Sequence, residues 1–493
     1  MSIINKLEQL RACGGSRLTN GLENAIIEQF SAKDPHLERA VDNALVAATQ
    51  IQNEFPGLLD KDEAQLIEEL QQGYLNFYQA DALNPYVALG ASGPWIVTSK
   101  GAVLYDTGGY GMLGFGHAPD VVLEAMNQPH VMANIMTPSV SQMRLMQTLR
   151  NEIGRSRDNG CPFETFLCLN SGSEAVSIAA RISDINAKLM TDSDGRHAGK
   201  PIKRLALKGA FHGRTDRPAQ YSDSSMPVYK KYLASFRSNN DLITVPANDC
   251  EALLAAFRCA DEEGVFIESM FMEPVMGEGN PGMAVTPEFY TLARELTHAH
   301  GSLLLVDSIQ AGLRTNGCMS IVDYPGFEKL PAPDMESYSK AINGGQFPLS
   351  VLGVSHRATE LYQKGLYGNT MTTNPRAMDV AVAVLSNMTE ARRANIKKAG
   401  KELIEKFTRL KEELNGPITN VQGTGLLFSV ELTGEYKSYG ANSTEEYLRT
   451  KGIGVIHGGE NSLRFTPWFD ISSEEIDLLV AATKDALLNG PKR

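Results

Sequence analysis

The spacing of hydrophobic positions divides the chain into regions of different secondary structure. Residues 1 to about 80 mix charged and apolar positions at helical spacing, as in LERAVDNALVAATQIQNEF, and predict a helical N-terminal extension. From Tyr86 the pattern changes to short apolar or β-branched runs with glycines, which predicts a small sheet followed by a helix. We therefore expect residues 81–130 to form the N-terminal part of a small domain.

Short apolar strands alternate with longer helical patterns over the middle of the chain. GVFIESMFMEP, for example, is followed by TPEFYTLARELTHAH and then by SLLLVDS. This alternation favours right-handed crossovers and a mainly parallel sheet, so we predict a large α/β domain over residues 131–375. Residues 376–493 begin with charged helical stretches, continue with strand-like runs and end in a helix, which predicts a smaller C-terminal α+β domain.

The charge balance restricts the possible partners. The chain has 46 Lys and Arg against 58 Asp and Glu, a net charge of −12, and contains no long basic run. Nucleic acid is therefore not an expected partner, and an anionic substrate must be bound by a few local cations in a preformed pocket. The first residues lack an apolar signal-peptide core and no window approaches a membrane span, which predicts a cytoplasmic protein without membrane contact.

The cysteines do not suggest a reactive or metal-binding site. No two of them form a CxxC pair or a metal-ligand spacing, so we expect reduced, mostly buried thiols and no metal. The six are Cys13, Cys161, Cys168, Cys250, Cys259 and Cys318.

The first candidate site is the polar segment NSGSEA at residues 170–175, between an apolar strand and a helical pattern. Backbone amides at a helix N-terminus favour a bound phosphate. Ser171 with Glu174 also matches a capping box, which needs no ligand. Taken alone, the segment favours the capping box.

Two further candidates follow in the sequence. Asp307 ends the apolar run SLLLV, where parallel sheets present catalytic side chains, and its carboxylate could hold a pyridine nitrogen protonated. An aspartate there is also a common turn residue. Lys340 follows a strand-like stretch and precedes a glycine pair, a setting that could hold an amine near a cofactor and a substrate, although most lysines are solvated surface charges.

The order of the motifs is more specific than any one of them. NSGSEA is followed by FHGRT at 211–215, EPVMGEG at 273–279, DSIQ at 307–310, Lys340, and TMTTNP at 370–375. This series, over about residues 85 to 485, resembles the class III (ornithine/4-aminobutyrate type) aminotransferases, which are fold type I pyridoxal phosphate (PLP) enzymes. The resemblance implies an α/β fold with a mainly parallel, seven-stranded-type sheet in the large domain.

The resemblance also implies how PLP is bound. Gly172 and Ser173, with Ser171 beside them, would bind its phosphate through backbone amides. Thr370 resembles a threonine that reaches the phosphate of the neighbouring subunit, so the site would require a homodimer. No metal is implied.

The implied contacts to the ring come from other segments. Phe211 would stack on the pyridine ring, with His212 beside it among the cofactor-binding residues. Asp307 would pair with the pyridinium nitrogen, and Gln310 would approach the phenolic oxygen. Lys340 would form the Schiff base and act as both nucleophile and base, which makes Lys340 and Asp307 the implied catalytic residues.

Three charged residues match substrate positions of the family. Arg464 corresponds to an arginine for an α-carboxylate, and Glu278 to a glutamate that pairs with it until a dicarboxylate acceptor arrives. Arg214 matches a position that binds a distal carboxylate in some members or is structural. For Glu278 and Arg464 the alternative is a partly exposed salt bridge that contributes little to stability.

The chain departs from the family pattern at several places. Ser308 replaces the usual second acid after the cofactor aspartate, and Ala311 replaces the usual threonine after the glutamine. Residues 367–375 carry bulkier side chains where glycines are usual. The extension over residues 1–80 is longer than in a minimal member and could cover the pocket mouth or extend a dimer contact.

The reaction that we expect is ping-pong transamination from an amino acid or ω-amino compound to a 2-oxo acid. The same fold also supports racemases or epimerases, an aminomutase and a decarboxylase, which cofactor motifs do not separate. A non-catalytic relative on the same fold is the remaining alternative.

Overall fold

The computed structural model describes residues 1–238 and 240–493. The helices are α1 (Ile3–Arg11), α2 (Asn24–Ser31), α3 (Pro35–Glu54), α4 (Glu63–Gln71), α5 (Asp120–Met126), α6 (Val140–Glu152), α7 (Gly172–Thr191), α8 (Asp216–Ala219), α9 (Met226–Tyr232), α10 (Cys250–Glu263), α11 (Pro287–His300), α12 (His356–Leu361), α13 (Pro375–Ser386), α14 (Glu390–Leu414), α15 (Thr444–Thr450) and α16 (Ser473–Asn489).

The strands are β1 (Ala88–Ser92), β2 (Trp95–Thr98), β3 (Val103–Asp106), β4 (Thr165–Leu169), β5 (Ile202–Leu207), β6 (Leu242–Val245), β7 (Phe266–Met272), β8 (Leu303–Asp307), β9 (Met335–Tyr338), β10 (Ser350–Val354), β11 (Ile418–Thr424), β12 (Leu427–Leu432), β13 (Ile453–Gly454), β14 (Ile456–Gly458) and β15 (Ser462–Phe465). Contacts divide the chain into two units. The large unit comprises Val121–Lys397 and Gly423–Leu427, and the small unit comprises Met1–Asp120, Lys398–Gln422 and Phe428–Arg493.

The large unit is built on a sheet that has seven strands within the described residues, in the order β4-β10-β9-β8-β7-β5-β6. Strand β10 runs antiparallel to both of its neighbours, whereas β9, β8, β7, β5 and β6 pair in parallel. The predicted mainly parallel, seven-stranded sheet is confirmed. Because β4 and β9 are both antiparallel to β10, they run in the same direction as each other. The carboxyl ends of β4, β9 and β8 therefore lie at the same edge of the sheet.

Helix α7 shows how the sequence produces this layering. Ser171 caps the helix, since its side chain accepts a hydrogen bond from the Glu174 amide. Ala175, Ile178 and Ile182 recur at helical spacing and are buried in one cluster with apolar residues of β8, β9 and β10. Burial of each isoleucine stabilises the fold by about 1.5–3 kcal/mol, which fixes the helix against the sheet.

In the small unit, the sheet β1-β2-β3-β13 carries the N-terminal helices. Helix α3 packs against β1 and β2, and Ala40 and Ala44 are buried on the packed face. The approach is so close that a Cβ on Gly90 of β1 would lie 2.3 Å from the backbone nitrogen of Ala44. Small residues on both elements therefore allow the extension to form a layer of this unit.

A buried lysine forms hydrogen bonds to the loops that follow two of those helices. Lys100 is 3% exposed, and its ammonium donates hydrogen bonds to the backbone carbonyls of Leu59 (2.8 Å), Lys61 (2.6 Å) and Gly14. All three donors of the ammonium are thus used. The charge is compensated by carbonyl dipoles, and the loops after α1 and α3 are held to the turn between β2 and β3.

A second sheet, β11-β12-β15-β14, lies mainly in the small unit. Its buried face meets α14 through three aromatic rings. Phe407 lies 4.9 Å from Phe428 and 5.6 Å from Phe465, measured between ring centroids. This aromatic cluster holds β15, which carries one of the candidate substrate residues.

Three further observations concern the predictions from composition. Among the described residues, no helix is long and apolar enough to cross a membrane, and no group of His, Cys, Asp or Glu could hold a metal ion. All six cysteines are free thiols. The prediction that they are mostly buried was wrong: Cys318 is buried, Cys259 is exposed, and the others are half-buried.

Candidate active site

The candidate residues of the large unit lie where its parallel strands end. Asp307 is the last residue of β8, and Lys340 follows β9 by two positions. Ser171 follows β4 by two positions, and its carbonyl accepts a hydrogen bond from the Ser350 hydroxyl at 2.6 Å. Ser350 begins β10, which lies between β4 and β9. The helix α7 terminus, Asp307 and Lys340 therefore occupy one edge of the sheet.

Asp307 is buried, with 4% of its surface exposed, and its two oxygens have different partners. One oxygen accepts a hydrogen bond from His212 Nδ1 at 2.8 Å. The other accepts from the Ser337 hydroxyl at 3.1 Å and from the Ile309 amide at 3.2 Å. Because a carboxylate offers about four acceptor sites, one remains on the oxygen that faces His212.

His212 is held as firmly as the carboxylate that it contacts. Its amide donates to the Ser222 hydroxyl at 2.9 Å, and its ring lies edge-on to Phe271 with 5.8 Å between centroids. Its Nε2 is buried and has no hydrogen-bond partner among the described residues. Since a carboxylate only accepts, Nδ1 carries the proton that is shared with Asp307.

The phosphate candidates lie at the start of α7 and contact the other segments. A Cβ on Gly172 would lie 2.6 Å from the Ile309 side chain, and a Cβ on Gly213 would lie 2.5 Å from the Ser173 hydroxyl. The predicted capping box is half formed: the Ser171 hydroxyl accepts from the Glu174 amide, but the Glu174 carboxylate accepts from the Asn170 amide at 2.8 Å. The first amides of α7 have no acceptor within the helix.

Phe211 and Arg214 contact each other. The Arg214 guanidinium lies 5.0 Å from the Phe211 ring centroid, and Arg214 is exposed whereas Phe211 is half-buried. This distance is within the range of a cation–π contact. Arg214 therefore has a structural contact, which was one of the two roles considered for it.

Glu273 joins the Phe211 segment to the segment that carries Glu278. Its carboxylate accepts hydrogen bonds from the Phe211 amide at 3.2 Å and from the Gly277 amide at 2.9 Å. The pKa of Glu273 is raised to about 7, mainly because the carboxyl is buried; His212 and the two amides oppose this shift, and the negative charge of Asp307 adds to it. Glu278 itself is half-buried in the large unit.

Gln310 lies directly on Gly277. A Cβ at position 277 would be 1.7 Å from Gln310 Oε1, so a larger residue there would displace this carboxamide. Gln310 is 8% exposed. The glycine thus allows the Gln310 side chain to take its present position.

Lys340 is half-buried and adopts a left-handed backbone conformation with φ of +50°. For a residue with a Cβ this conformation costs about 1–2 kcal/mol. The chain turns sharply after it, because Gly344 and Gly345 have φ of +60° and +70°. Such strain at a half-buried lysine is typical of a functional position.

The segment with Thr370 contacts the α7 terminus of its own chain through the neighbouring residue. Asn369 donates a hydrogen bond from Nδ2 to the Glu174 carboxylate at 3.0 Å. Thr370 is exposed. The segment is therefore anchored beside the phosphate candidates with the threonine at the surface.

Arg464 belongs to β15 of the small unit and is 1% exposed. The alternative of a partly exposed salt bridge does not apply to this side chain. Its guanidinium lies 5.2 Å from the Tyr110 ring centroid. Glu278 belongs to the other unit, and the pairing of the two residues stays a prediction.

The departure at Ser308 has a counterpart on the neighbouring strand. The Ser308 hydroxyl donates to Glu336 Oε1 at 2.5 Å, and Glu336 also accepts from the Ser320 hydroxyl (2.5 Å) and the Ile321 amide (2.9 Å). The pKa of Glu336 is raised to about 7, because the effect of burial exceeds the opposite effect of these donors. The serine at position 308 is thus hydrogen-bonded to a buried acid on β9.

The sequence reasoning assigned no role to Ser337, Glu273 or Glu336. Ser337 faces Asp307 because the two are register partners on β9 and β8. Glu273 lies within the quoted motif EPVMGEG, and Glu336 is an acid inside the strand MESY. An acid within a buried strand is a signal for a polar network, because an unpaired buried charge is costly.

Comparisons with known proteins agree with this geometry. The class-III aminotransferase family model matches residues 78–487. Ornithine aminotransferase 2 of Staphylococcus aureus is 27% identical over 402 residues, which cover 80% of this chain and 92% of that protein. Acetylornithine aminotransferase of Clostridium acetobutylicum is 28% identical over 327 residues, which cover 66% and 77%.

Solved structures resemble the chain in fold. The ornithine aminotransferase of Toxoplasma gondii superposes with a TM-score of 0.73 at 22% identity, over 89% of this chain and 98% of that one. The acetylornithine aminotransferase of Elizabethkingia anophelis gives a TM-score of 0.68 at 22% identity, over 86% and 99%. The likeness confirms the predicted architecture.

Proposed function

Since this chain belongs to the class-III aminotransferase family of PLP-dependent enzymes, we propose that it moves an amino group from an amino acid or ω-amino compound to a 2-oxo acid, with Lys340 as the Schiff-base lysine. The observation that carries the proposal is the buried Asp307 carboxylate, oriented by His212 and Ser337 at the sheet edge that Lys340 shares. The cofactor supplies an electron sink when its ring nitrogen is protonated.

The residues at this edge fit PLP. Asp307 retains acceptor capacity for a protonated ring nitrogen, and the long helix α7 presents backbone amides that favour a phosphate. The buried Nε2 of His212, which has no partner among the described residues, is a polar atom that a bound group could satisfy. We assign phosphate binding to Ser171, Gly172 and Ser173.

The protein residues have distinct tasks in this proposal. Asp307 keeps a positive charge on the ring nitrogen, and His212 and Ser337 fix the orientation of the carboxylate. Phe211 holds one face of the ring, and Gln310 approaches its phenolic oxygen. The free Lys340 amine would take the proton from the substrate carbon and deliver it to the cofactor carbon that receives the amino group, so one side chain would serve as both base and acid.

The substrate residues are assigned by their correspondence to the family. Arg464 binds a substrate carboxylate, and its burial strengthens such a pair because little water competes. Glu278 pairs with Arg464 when the donor enters by its amine, and Arg214 binds a distal carboxylate. A homodimer, in which Thr370 reaches the phosphate of the partner, completes the site.

The relatives suggest which donors to test first. The two named relatives are ornithine and acetylornithine aminotransferases, which favours donors that carry an ω-amine. The purified protein with PLP should be offered ω-amino acids, diamines and α-amino acids, each with 2-oxoglutarate and with pyruvate.

We expect the amino acid that corresponds to the added 2-oxo acid to appear together with the oxidised donor. A product formed without any acceptor would contradict transamination and favour a racemase, an aminomutase or a decarboxylase. Protein that gains no visible absorbance with PLP would favour a non-catalytic relative.

A further inference from the structure

The arginine assigned to substrate carboxylates lies beneath an aromatic residue of its own unit. The Tyr110 ring centroid is 5.2 Å from the Arg464 guanidinium, within cation–π range. Tyr110 has a left-handed backbone conformation, with φ of +52°. The amide of the next residue, Gly111, donates to the Thr466 hydroxyl at 3.2 Å, and Thr466 follows β15 directly.

The N-terminal extension supplies the next layer. Tyr78 stacks on Tyr110 with 6.3 Å between centroids and 22° between ring planes. Phe77 packs on Tyr78 at 4.2 Å. The order of the layers is therefore Phe77, Tyr78, Tyr110 and Arg464, all within the small unit.

Exposure changes steeply along these layers. Phe77 is 74% exposed, Tyr78 and Tyr110 are half-buried, and Arg464 is 1% exposed. Tyr78 is thus the outermost ring of the series that is half-buried, and its amide donates to the Asn76 side chain at 3.0 Å. Removal of its ring would expose the outer face of Tyr110 to water.

We propose that Tyr78 is a positioning residue for carboxylate substrates, which acts through Tyr110 on Arg464. This rests on the proposed function, in which Arg464 binds a substrate carboxylate. Tyr110 restricts the guanidinium to one arrangement and keeps water from it, and both effects favour a carboxylate. Amino acids and 2-oxo acids depend on this arrangement, whereas amines without a carboxylate do not.

The test compares Tyr78→Ala, Tyr78→Phe and Tyr74→Ala. The phenylalanine variant keeps the stacked ring, and Tyr74 is an 80% exposed aromatic residue of the same segment. For each, kcat and KM are measured for the 2-oxo acid, together with the inhibition constant of glutarate, an unreactive dicarboxylate. A diamine serves as the donor without a carboxylate.

In Tyr78→Ala we expect KM for the 2-oxo acid and the inhibition constant of glutarate to rise about tenfold, with kcat within about twofold. Tyr78→Phe and Tyr74→Ala should match the unmodified protein, as should the diamine constants in all variants. The proposal is overturned if Tyr78→Ala leaves glutarate binding unchanged, or if diamine and carboxylate substrates lose affinity equally. Absence of amino transfer in the unmodified protein would instead refute the proposed function.

Discussion

The two units bring functional side chains together by different means. In the large unit, Asp307, Ser337 and Lys340 gather because the parallel strands β8 and β9 end at one edge, and hydrogen bonds fix the carboxylate. In the small unit, the Arg464 guanidinium lies against the ring of Tyr110, a residue far away in the sequence. Under the proposed roles, a substitution in the hydrogen-bonded network of the large unit should impair the cofactor chemistry, whereas a substitution in the aromatic series of the small unit should alter substrate binding without loss of the cofactor.

The largest effect is expected at the large-unit network. Asp307→Asn preserves the shape of the side chain but removes its charge, so the ring nitrogen loses the partner that keeps it protonated. We expect kcat to fall about a thousandfold. Steady-state assays with a saturating donor measure this. Asp470→Asn provides a control, since Asp470 is exposed in the small unit. Retention of more than a tenth of the activity in Asp307→Asn would show that the network is not catalytic.

In the small unit, substitution of Lys100 should reduce stability. Lys100→Met leaves the carbonyls of Leu59, Lys61 and Gly14 without their charged donor, and we expect the free energy of unfolding to fall by about 3–5 kcal/mol. Denaturant titration followed by tryptophan fluorescence measures the change. Lys33→Met, which removes an exposed ion pair with Glu474, should change it by about 0.5 kcal/mol. Equal effects of the two substitutions would refute the anchoring role of Lys100.

A smaller, pH-dependent effect should come from Glu336. Burial raises its pKa to about 7 from an ordinary 4.5, so its protonated form is favoured in the folded state. The associated stability is present below pH 4.5 and is lost as the pH rises through 7, by about 2 kcal/mol between pH 5.5 and 8. Glu336→Gln should remove this part of the pH dependence in thermal denaturation.

The matched control is Glu412→Gln, an exposed carboxylate of α14. It should leave the pH dependence of the melting temperature unchanged. If Glu336→Gln leaves it unchanged too, Glu336 is not the buried acid that the Ser308 contact indicates.

The sequence predicted the elements of the fold better than the contacts between side chains that are distant in the sequence. Hydrophobic periodicity predicted the mainly parallel sheet and placed Asp307 at the end of a strand and Lys340 just after one, whereas the number of strands came from the resemblance that the order of the motifs carries. The contacts of His212 and Ser337 with Asp307 depend on how strands and loops align across the sheet, which a linear pattern does not contain. The stacking of Tyr78 on Tyr110 joins two loops of the small unit, and no local signal marks it.

Lys340 provides the most direct test of the central claim. Protein with PLP is reduced with borohydride, digested and analysed by mass spectrometry, alongside Lys340→Ala and the exposed-lysine control Lys364→Ala. We predict that the cofactor is attached at Lys340 in the unmodified protein and in Lys364→Ala, and that Lys340→Ala has neither attached cofactor nor amino transfer. Cofactor reduced onto another lysine, or undiminished transfer by Lys340→Ala, would contradict the account.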